Sequence, residues 1–485
     1  MKYALYGLPC AGKSTLLNNL SVTVINGSTE LNKMVSGRFS LLPEAEKREC
    51  RIRYAKKLSE ISDEFISDGH YAFPDGVVFT EEDGDLYDVF LYLYCKPEII
   101  SERLKNSSKN SRFAHISVEN IHKWQSFEIE SLRAECHKRY KNFCVINDIS
   151  SMELQDLIKR IRNGFGSYQL ARSITDKIQK IYPVPCELHI CDGDKTIIKQ
   201  DSFRICTENY ITNAFDGNFY TDYQSLKFSE EVHNLKYNTD NLDKIQLNNI
   251  IYEKVCCRNY IVLSSGIGSI WKKLAEKFAL KNVMADTMIS ADTKYFVVKI
   301  LKEKGYNITV YGDGKNDIYM LKQADNGFLY IGTYLSSSLK DTDISGIGLI
   351  YDKSQYILAD ENKNISEDIA VCKSNLGING SRLAETHLRF GKMLGEVIRK
   401  FVPNMNTAVI VLERGGRFFG DGLYTDFDGV FYSYNPKKDK FPDIHHKTAV
   451  IVDSVINTGK SVMNMIVKLK HSNPETEIFI ATNVI

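Results

Sequence analysis

The stretch Leu188-His189-Ile190-Cys191-Asp192-Gly193-Asp194-Lys195-Thr196 decides the fold of the central part of this 485-residue chain. Its first four residues predict a short buried strand that ends in a tight turn. The turn brings the carboxylates of Asp192 and Asp194 directly after the strand. One carboxylate of such a pair can attack phosphorus while the other moves a proton. Because Asp-Gly-Asp is also common in simple turns, the pattern alone leaves both interpretations open.

Three later features favour the chemical interpretation. Residues 260–263 predict a strand that runs into Ser264-Ser265-Gly266, which offers small hydroxyl donors. Lys294 then supplies a cation. Residues 308–311 predict another strand, followed by a second acidic turn, Gly312-Asp313-Gly314-Lys315-Asn316-Asp317. The carboxyl ends of these strands could therefore gather acids, hydroxyls and one cation around a phosphate.

These motifs, in this order, make residues 183–360 resemble the haloacid dehalogenase (HAD) superfamily, most of all its phosphoserine-phosphatase-like branch. The resemblance implies that Asp192 is a nucleophile that forms an aspartyl-phosphate and that Asp194 is the general acid/base. It implies that Ser264 binds phosphoryl oxygens and that Lys294 neutralises charge on the intermediate. Ser265 and Lys299 are the respective alternatives for these two roles.

The same resemblance implies a Mg²⁺ ion, which suits a site rich in carboxylate oxygens. Its ligands would come from the acids of the two turns, namely Asp192, Asp194, Asp313 and Asp317. Residues from about 200 to 255 would form a cap over the site. The cap usually sets substrate choice, but its composition does not indicate a substrate.

The N-terminus carries a second phosphate motif, Gly7-Leu8-Pro9-Cys10-Ala11-Gly12-Lys13-Ser14-Thr15. It follows a predicted strand over residues 3–6 and precedes a predicted helix over residues 14–20. This Gly-x-x-x-x-Gly-Lys-Ser pattern is typical of a P-loop. Its backbone N–H groups wrap a phosphate, its lysine reaches the β- and γ-phosphates, and its serine coordinates Mg²⁺. The motif therefore predicts ATP binding, with Ser14 as a metal ligand.

Strands and helices continue to alternate after the P-loop, which predicts a parallel sheet. Residues 1–165 resemble the nucleoside- and nucleotide-kinase branch of the P-loop proteins. The resemblance implies that Asp68 serves Mg²⁺-bound water or the acceptor hydroxyl. It also implies that Arg103 and Arg112 clamp phosphates, although a solvent-exposed helix face is an equally good interpretation of both arginines.

The C-terminal segment has a third candidate phosphate site. An apolar strand predicted over residues 449–452 runs into Asp453-Ser454-Val455-Ile456-Asn457-Thr458-Gly459-Lys460-Ser461 and a helix. A carboxylate there suits ribose hydroxyls, and a turn at a helix N-terminus suits a 5′-phosphate. Residues 365–485 resemble type I phosphoribosyltransferases, which bind phosphoribosyl pyrophosphate (PRPP). The resemblance extends to the stretch Glu413-Arg414-Gly415-Gly416, whose Arg414 and Gly415 would bind pyrophosphate.

Two departures bear on the activity of this segment. The family usually has two adjacent acids where this chain has Asp453-Ser454. A uracil-type enzyme would also continue beyond Ile485 with a segment that binds the base. A degenerate domain that only binds PRPP therefore stays an open alternative.

Composition predicts an ordinary globular chain of three domains, with 43% hydrophobic and 25% charged residues and a net charge of +1. This charge provides no overall field for nucleic acid or membrane. No apolar stretch approaches the roughly 20 residues needed to span a bilayer. The eleven scattered cysteines, without a Cys-x-x-Cys pair, predict reduced thiols and a cytoplasmic protein.

The predicted fold class is α/β, with three consecutive Rossmann-like parallel-sheet domains over residues 1–165, 183–360 and 365–485. The predicted function is a multifunctional enzyme that processes nucleotides or nucleoside-like metabolites, and its predicted partners are small phosphorylated metabolites or nucleotides. It would combine an ATP-dependent kinase, a Mg²⁺-dependent phosphatase and a PRPP-dependent transferase. One alternative is nucleic-acid end repair by the kinase and phosphatase. Another is a regulatory protein that binds PRPP through an inactive C-terminal domain.

Overall fold

The structure, a computed structural model, divides the chain into two compact units. One unit contains Met1–Leu329 with Ile344–Gly348, and the other contains Tyr330–Asp343 with Leu349–Ile485. The residues that the structure describes are 1–332, 336–339, 342–351, 368, 371, 372, 377–399, 402, 406–413, 416–425, 429–456 and 458–484.

The first unit begins with a five-stranded sheet in the order β2-β3-β1-β6-β7, in which all neighbouring strands are parallel. A two-stranded antiparallel hairpin, β4-β5, follows β3. The elements of this domain are β1 (Lys2–Tyr6), α1 (Lys13–Leu16), β2 (Thr23–Asn26), α2 (Gly27–Met34), α3 (Glu44–Ser59), β3 (Phe65–Asp68), β4 (Ala72–Phe73), β5 (Gly76–Val77), α4 (Glu81–Leu86), β6 (Val89–Leu93), α5 (Pro97–Lys105), α6 (Val118–Arg139), β7 (Asn142–Ile146) and α7 (Ser151–Arg162).

Apolar strands with two covered faces explain this sheet. All five residues of β6 and of β7 are buried, as expected for strands between two layers of helices. The first helix, α1, is shorter than the sequence predicts. It ends at Leu16, and Asn19 adopts a left-handed conformation (φ 64°), which an α-helix cannot include.

The helix α8 (Ser167–Ile181) connects this domain to a second sheet, in the order β10-β9-β8-β11-β12-β13. The four pairs from β10 to β12 are parallel. The elements of the second domain are β8 (Glu187–Cys191), α9 (Ser202–Cys206), α10 (Asp222–Asn234), α11 (Asn249–Val255), β9 (Tyr260–Ser264), α12 (Gly268–Phe278), β10 (Val283–Ala285), α13 (Ala291–Glu303), β11 (Asn307–Gly312), α14 (Ile318–Gln323), β12 (Asn326–Gly332) and β13 (Gly348–Tyr351).

The segment between β8 and β9, which the sequence predicts as a cap, contacts the first domain. The N-terminus of α10 meets the edge strand β7: the Val145 amide donates to Thr221 Oγ1 (3.1 Å), and Gln224 Nε2 donates to the Val145 carbonyl (2.9 Å). Thr221 and Gln224 are both fully buried. Part of the insertion therefore covers an exposed sheet edge, which would otherwise be open to pairing.

The C-terminal unit contains a third sheet, of four parallel strands in the order β15-β14-β16-β17. Its elements are α15 (Gly380–Ile398), β14 (Thr407–Leu412), α16 (Arg417–Tyr424), β15 (Val430–Tyr434), β16 (Thr448–Val455), α17 (Lys460–Ser472) and β17 (Glu477–Val484). The chain is therefore α/β, with three parallel sheets that follow one another along the sequence. Within the described residues, no helix combines the length and the apolar character that crossing a membrane requires.

Candidate active sites

Strand register brings the two acidic turns of the second domain together. The central strands β8 and β11 are paired so that Cys191 lies opposite Tyr311, and the Asp192 amide donates to the Tyr311 carbonyl (2.8 Å). In both turns a glycine follows the first aspartate: Gly193 follows Asp192, and Gly314 follows Asp313. A Cβ at Gly193 would approach Ser264 Oγ, on the neighbouring strand β9, to 2.5 Å. Glycine between the two aspartates therefore permits the close approach of the turn after β8 to Ser264.

A fully buried lysine lies among the carboxylates. Lys294 Nζ, on α13, donates to Asp192 Oδ1 and to Asp317 Oδ1, the latter at 2.8 Å. Burial opposes the charged form of Lys294, but the two carboxylates outweigh it and keep its pKa above the usual value. Burial and the charge of Asp317 together raise the pKa of Asp192 to about 6, against the effect of Lys294.

The residues fit a divalent metal ion. One carboxylate oxygen from each of Asp192, Asp313 and Asp317 lies within 4.8 Å of the others. Burial, followed by the charges of Asp317 and Asp192, raises the pKa of Asp313 well above its usual value. One lysine does not balance three carboxylates, so a hard cation with oxygen ligands would complete the charge. Asp194 is not one of these three acids.

The other predicted phosphatase residues lie around the same turn. The carboxylate of Asp194 accepts from the Ser202 amide (2.7 Å), while burial and Asp201 raise its pKa to about 8. Ser264 is buried at the end of β9, and its Oγ accepts from the Gly266 amide (3.1 Å). A general acid that is protonated at neutral pH needs such a raised pKa.

The two alternative residues have other partners. Ser265 Oγ accepts from Asn316 Nδ2 (2.8 Å), and Lys299 Nζ donates to the His137 carbonyl (2.7 Å) in the first domain. Ser265 therefore lies next to the second acidic turn through Asn316, whereas Lys299 points toward α6. Lys294 therefore lies among the carboxylates and Lys299 does not, while the choice between Ser264 and Ser265 stays a prediction.

The P-loop of the first domain follows β1 and wraps around its own lysine. Lys13 is buried, and its Nζ donates to the carbonyls of Gly7 (2.5 Å) and Leu8 (3.2 Å). Gly12 adopts a left-handed conformation (φ 107°) at the start of α1, which favours glycine. Ser14 and Thr15 are exposed at the first turn of the helix.

A cavity of about 1470 Å³ opens beside the P-loop. Asp68, at the end of β3, lies in its wall, where its carboxylate accepts from the Gly27 amide (2.8 Å). Arg103 and Arg112 also line the cavity. Arg103 donates to the Cys10 carbonyl of the P-loop (3.1 Å), and the Arg112 guanidinium lies 4.4 Å from the Phe113 ring centroid. Both arginines thus lie at the cavity wall, and their contact with phosphates stays a prediction.

A buried ion pair joins the two domains of the first unit, and the sequence did not indicate it. Arg133 of α6 pairs with Asp292 at the start of α13 (Nε to Oδ1, 2.9 Å), and both side chains are almost fully buried. His137 Nε2 contacts the same carboxylate at 2.6 Å. Burial alone would raise the pKa of Asp292, but Arg133 and His137 bring it below its usual value. Only the tertiary fold brings residues 159 positions apart into contact.

The candidate PRPP site of the C-terminal unit is described only in part. Asp453 lies near the end of β16, which extends to Val455, and burial raises the pKa of its carboxylate. Gly459 (φ 70°) begins α17, and the exposed residues of this turn are Thr458, Lys460 and Ser461. Arg414, Gly415 and Asn457 lie outside the described residues.

Comparison with known proteins finds one family match. Residues 6–122 match a family model described as the AAA domain. The matched segment runs from the end of β1 into α6 and includes the P-loop, which supports a P-loop kinase-like domain at the N-terminus. The search of curated proteins gives no match to the chain.

Three solved structures illustrate the similarities found at the level of fold. Shikimate kinase from Acinetobacter baumannii in complex with shikimate is 16% identical, covers 33% of this chain and 89% of its own, and gives a TM-score of 0.26. A phosphoserine phosphatase, solved as a phospho-aspartyl intermediate analogue, is 17% identical, covers 36% of this chain and 96% of its own, and gives a TM-score of 0.24. A HAD family hydrolase from Salmonella enterica serovar Typhi is 16% identical, covers 35% of this chain and 69% of its own, and gives a TM-score of 0.22. Scores this low carry no argument about function.

Proposed function

We propose that the second domain is a phosphatase and that the first is an ATP-dependent kinase, so that the chain is a multifunctional enzyme of small phosphorylated metabolites or nucleotides. The observation that carries the phosphatase assignment is the buried cluster in which Lys294 bridges Asp192 and Asp317. Burying these charges costs desolvation free energy, and titratable groups with shifted pKa values, gathered at the carboxyl ends of parallel strands beside a serine hydroxyl, are typical of functional sites.

Each residue of the cluster has a role in two-step hydrolysis. Asp192 attacks the phosphorus of a phosphate monoester while Asp194 gives its proton to the leaving alkoxide oxygen. Asp194 then takes a proton from water, which attacks the aspartyl-phosphate and regenerates Asp192 with release of inorganic phosphate. Lys294 and the Ser264 hydroxyl bind the phosphoryl oxygens in both steps.

Asp192, Asp313 and Asp317 would hold Mg²⁺, since one carboxylate oxygen of each lies within 4.8 Å of the others. When bound, the ion would neutralise charge on the phosphoryl group. The test of the assignment is release of phosphate from p-nitrophenyl phosphate by the whole protein. We expect turnover that rises with Mg²⁺ and stops with a chelator. An absence of metal-dependent turnover on a panel of aryl and alkyl phosphates would refute the assignment.

The kinase proposal rests on the P-loop cavity. Exposed Ser14 would ligate Mg²⁺, Lys13 would neutralise the β- and γ-phosphates, and Asp68 would receive the proton of the acceptor hydroxyl or order a metal-bound water. A kinase and a phosphatase acting on one position of one molecule would only consume ATP. The two domains must therefore act on different positions or different molecules. Incubation with labelled ATP and a metabolite extract would reveal the acceptor class.

For the C-terminal unit we propose PRPP binding, with Asp453 accepting from the ribose hydroxyls and the turn before α17 holding the 5′-phosphate. The supporting observation is a partly buried carboxylate near a strand end, followed by a glycine turn at a 13-residue helix. Calorimetry with PRPP and Mg²⁺ on the whole chain tests binding. Turnover with a panel of bases then separates a transferase from a regulatory domain that binds PRPP without reaction.

A second candidate function is nucleic-acid end repair, which the union of the kinase-like and phosphatase-like domains in one compact unit favours. Phosphorylation of a 5′-hydroxyl and removal of a 3′-phosphate would avoid wasteful cycling. The net charge of +1 gives no overall attraction to a polyanion. Phosphorylation of oligonucleotide 5′ ends tests this candidate directly, and failure with both single-stranded and duplex ends would exclude it.

A further inference from the structure

The insertion of the second domain reaches the cavity of the first. Asp216 and Gly217, in the loop between α9 and α10, line the same cavity as the P-loop. Gly217 (φ 88°) and Asn218 (φ 58°) are both left-handed and turn the chain at this point. The rings of Phe215 and Tyr220 stack at 5.2 Å and close the base of the loop. The loop is therefore a compact structure presented to the cavity.

Several contacts with the first domain hold this loop in place. The Phe219 ring packs edge-on against Tyr94, with centroids 4.8 Å apart, and Tyr94 also lines the cavity. Arg133 donates to the Phe219 carbonyl (2.8 Å). Two residues further on, Thr221 bonds to the edge strand β7. Contacts with the half-buried Tyr94 and the buried Arg133 of the first domain therefore hold Phe219, three residues after Asp216, in place.

The loop lies on the β6 and β7 side of the P-loop, because Phe219 packs against Tyr94 and Thr221 bonds to β7. Tyr94 and Asp148 follow β6 and β7, on the opposite side of β1 from β3, which ends at Asp68. If Asp68 serves the acceptor hydroxyl, the leaving group of the transferred phosphoryl must extend the other way, because attacking and leaving oxygens are in line. The nucleoside of ATP would then extend toward β6, β7 and the loop.

We infer that Asp216 is a nucleotide-binding residue of the first domain supplied by the second, and that its carboxylate accepts hydrogen bonds from the nucleoside. The inference rests on the proposed kinase function. Asp216 is exposed and lies in the wall of the cavity. A carboxylate repels a triphosphate, so it suits donors of the nucleoside, namely ribose hydroxyls or an exocyclic amino group.

Calorimetry of the whole protein with Mg²⁺ and three nucleotides tests the inference. ATP has both kinds of donor, 2′-deoxy-ATP lacks one ribose hydroxyl, and purine riboside triphosphate lacks the amino group. We expect Asp216→Ala to weaken ATP binding about 10- to 100-fold, as for loss of a hydrogen bond to a charged group. The variant should also lose discrimination against whichever analogue wild-type protein binds less tightly. Asp243→Ala, in the same insertion and exposed, is the matched control.

Two outcomes would overturn the inference: ATP binding by Asp216→Ala at the wild-type Kd, or equal weakening of all three nucleotides. The variant Lys13→Ala distinguishes an error in the role of Asp216 from an error in the kinase assignment. If Lys13→Ala loses ATP binding while Asp216→Ala keeps it, only the role of Asp216 is wrong. If wild-type protein does not bind ATP at all, the proposed function itself fails. Because Asp216 is exposed, its replacement should leave the melting temperature unchanged.

Discussion

The P-loop cavity and the carboxylate cluster are two candidate phosphate sites in one compact unit, and they differ in how they are built. The first is a cavity of about 1470 Å³ beside the P-loop, in which backbone N–H groups at the start of α1 would bind phosphate. Ser14 and Thr15 are exposed there. The second is a set of charged side chains from β8, α13 and the turn after β11, with Lys294 wholly buried among them. One offers a surface to a large ligand, and the other offers reactive groups to a small one.

The difference has an energetic consequence. The main-chain N–H groups of a P-loop are positioned by the local backbone conformation and do not depend on a network of charged side chains. In the carboxylate cluster each charge stabilises its neighbours, and removal of one partner leaves another buried without compensation. We therefore expect the two sites to respond differently to single replacements, as follows from the largest effect to the smallest.

Replacement of the nucleophile should separate the two sites most completely. Asp192→Asn should reduce phosphate release from p-nitrophenyl phosphate by about 10³-fold or more, because an amide is not an anionic nucleophile. Phosphorylation from ATP should continue at the wild-type rate. The exposed Asp243→Asn serves as the matched control. A variant that keeps a tenth of the phosphatase rate would show that Asp192 is not the nucleophile.

The buried ion pair between Arg133 and Asp292 connects the domain of the P-loop cavity to the domain of the carboxylate cluster, so its removal tests how far the two sites depend on each other. Asp292→Asn leaves Arg133 buried without its counter-charge and should lower the free energy of unfolding by about 3–5 kcal/mol. Denaturant unfolding measures this loss. Glu119→Gln removes an exposed ion pair on the same helix, α6, and should have no measurable effect. Equal stability of Asp292→Asn and wild-type protein would mean that the pair does not stabilise the fold.

Replacement of the P-loop lysine should produce the converse of Asp192→Asn. Lys13→Ala should slow phosphorylation from ATP by about 10²- to 10³-fold, because it removes one group that stabilises charge in the transition state. Metal-dependent phosphatase activity should be retained, as measured with the same aryl phosphate. Loss of both activities in a folded Lys13→Ala protein would contradict the assignment of one activity to each site.

The smallest effect is expected at the third site. Asp453→Ala should weaken PRPP binding by about 1.5–3 kcal/mol, which is the contribution of a hydrogen bond to a charged group. Calorimetry on the whole chain measures the change, and Asp443→Ala, an exposed acid of the same unit, is the control. Undiminished PRPP binding by Asp453→Ala would remove Asp453 from the site. An absence of binding by wild-type protein would remove the site altogether.

Local patterns predicted the parts of the two sites that depend on neighbouring residues. The P-loop occupies nine consecutive residues between a strand and a helix, so its conformation follows from the sequence itself. Each acid of the second site follows an apolar strand, and parallel pairing then brings Asp192 and Asp313 to one edge. The roles of these residues remain predictions.

Contacts between distant segments could not be predicted in this way. The periodicity of α6 does not identify Asp292 as the partner of Arg133, because the pair depends on how α6 meets α13. The same holds for the insertion, which the family resemblance predicted as a cap and whose Thr221 and Gln224 bond to β7. The short α1 was missed as well, because residues 17–20 have no glycine or proline to indicate its early end.

Trapping of a phosphorylated aspartate would test the central claim most directly. Asp194→Asn should slow hydrolysis of the intermediate more than its formation when the leaving group is a good one, such as p-nitrophenolate, because such a group needs no proton. Acid quenching of this variant with substrate and Mg²⁺, followed by peptide mass spectrometry, would locate the phosphate. The account predicts a hydroxylamine-sensitive phosphate on Asp192. A phosphate on Ser264, or none on the protein despite continuing turnover, would contradict it.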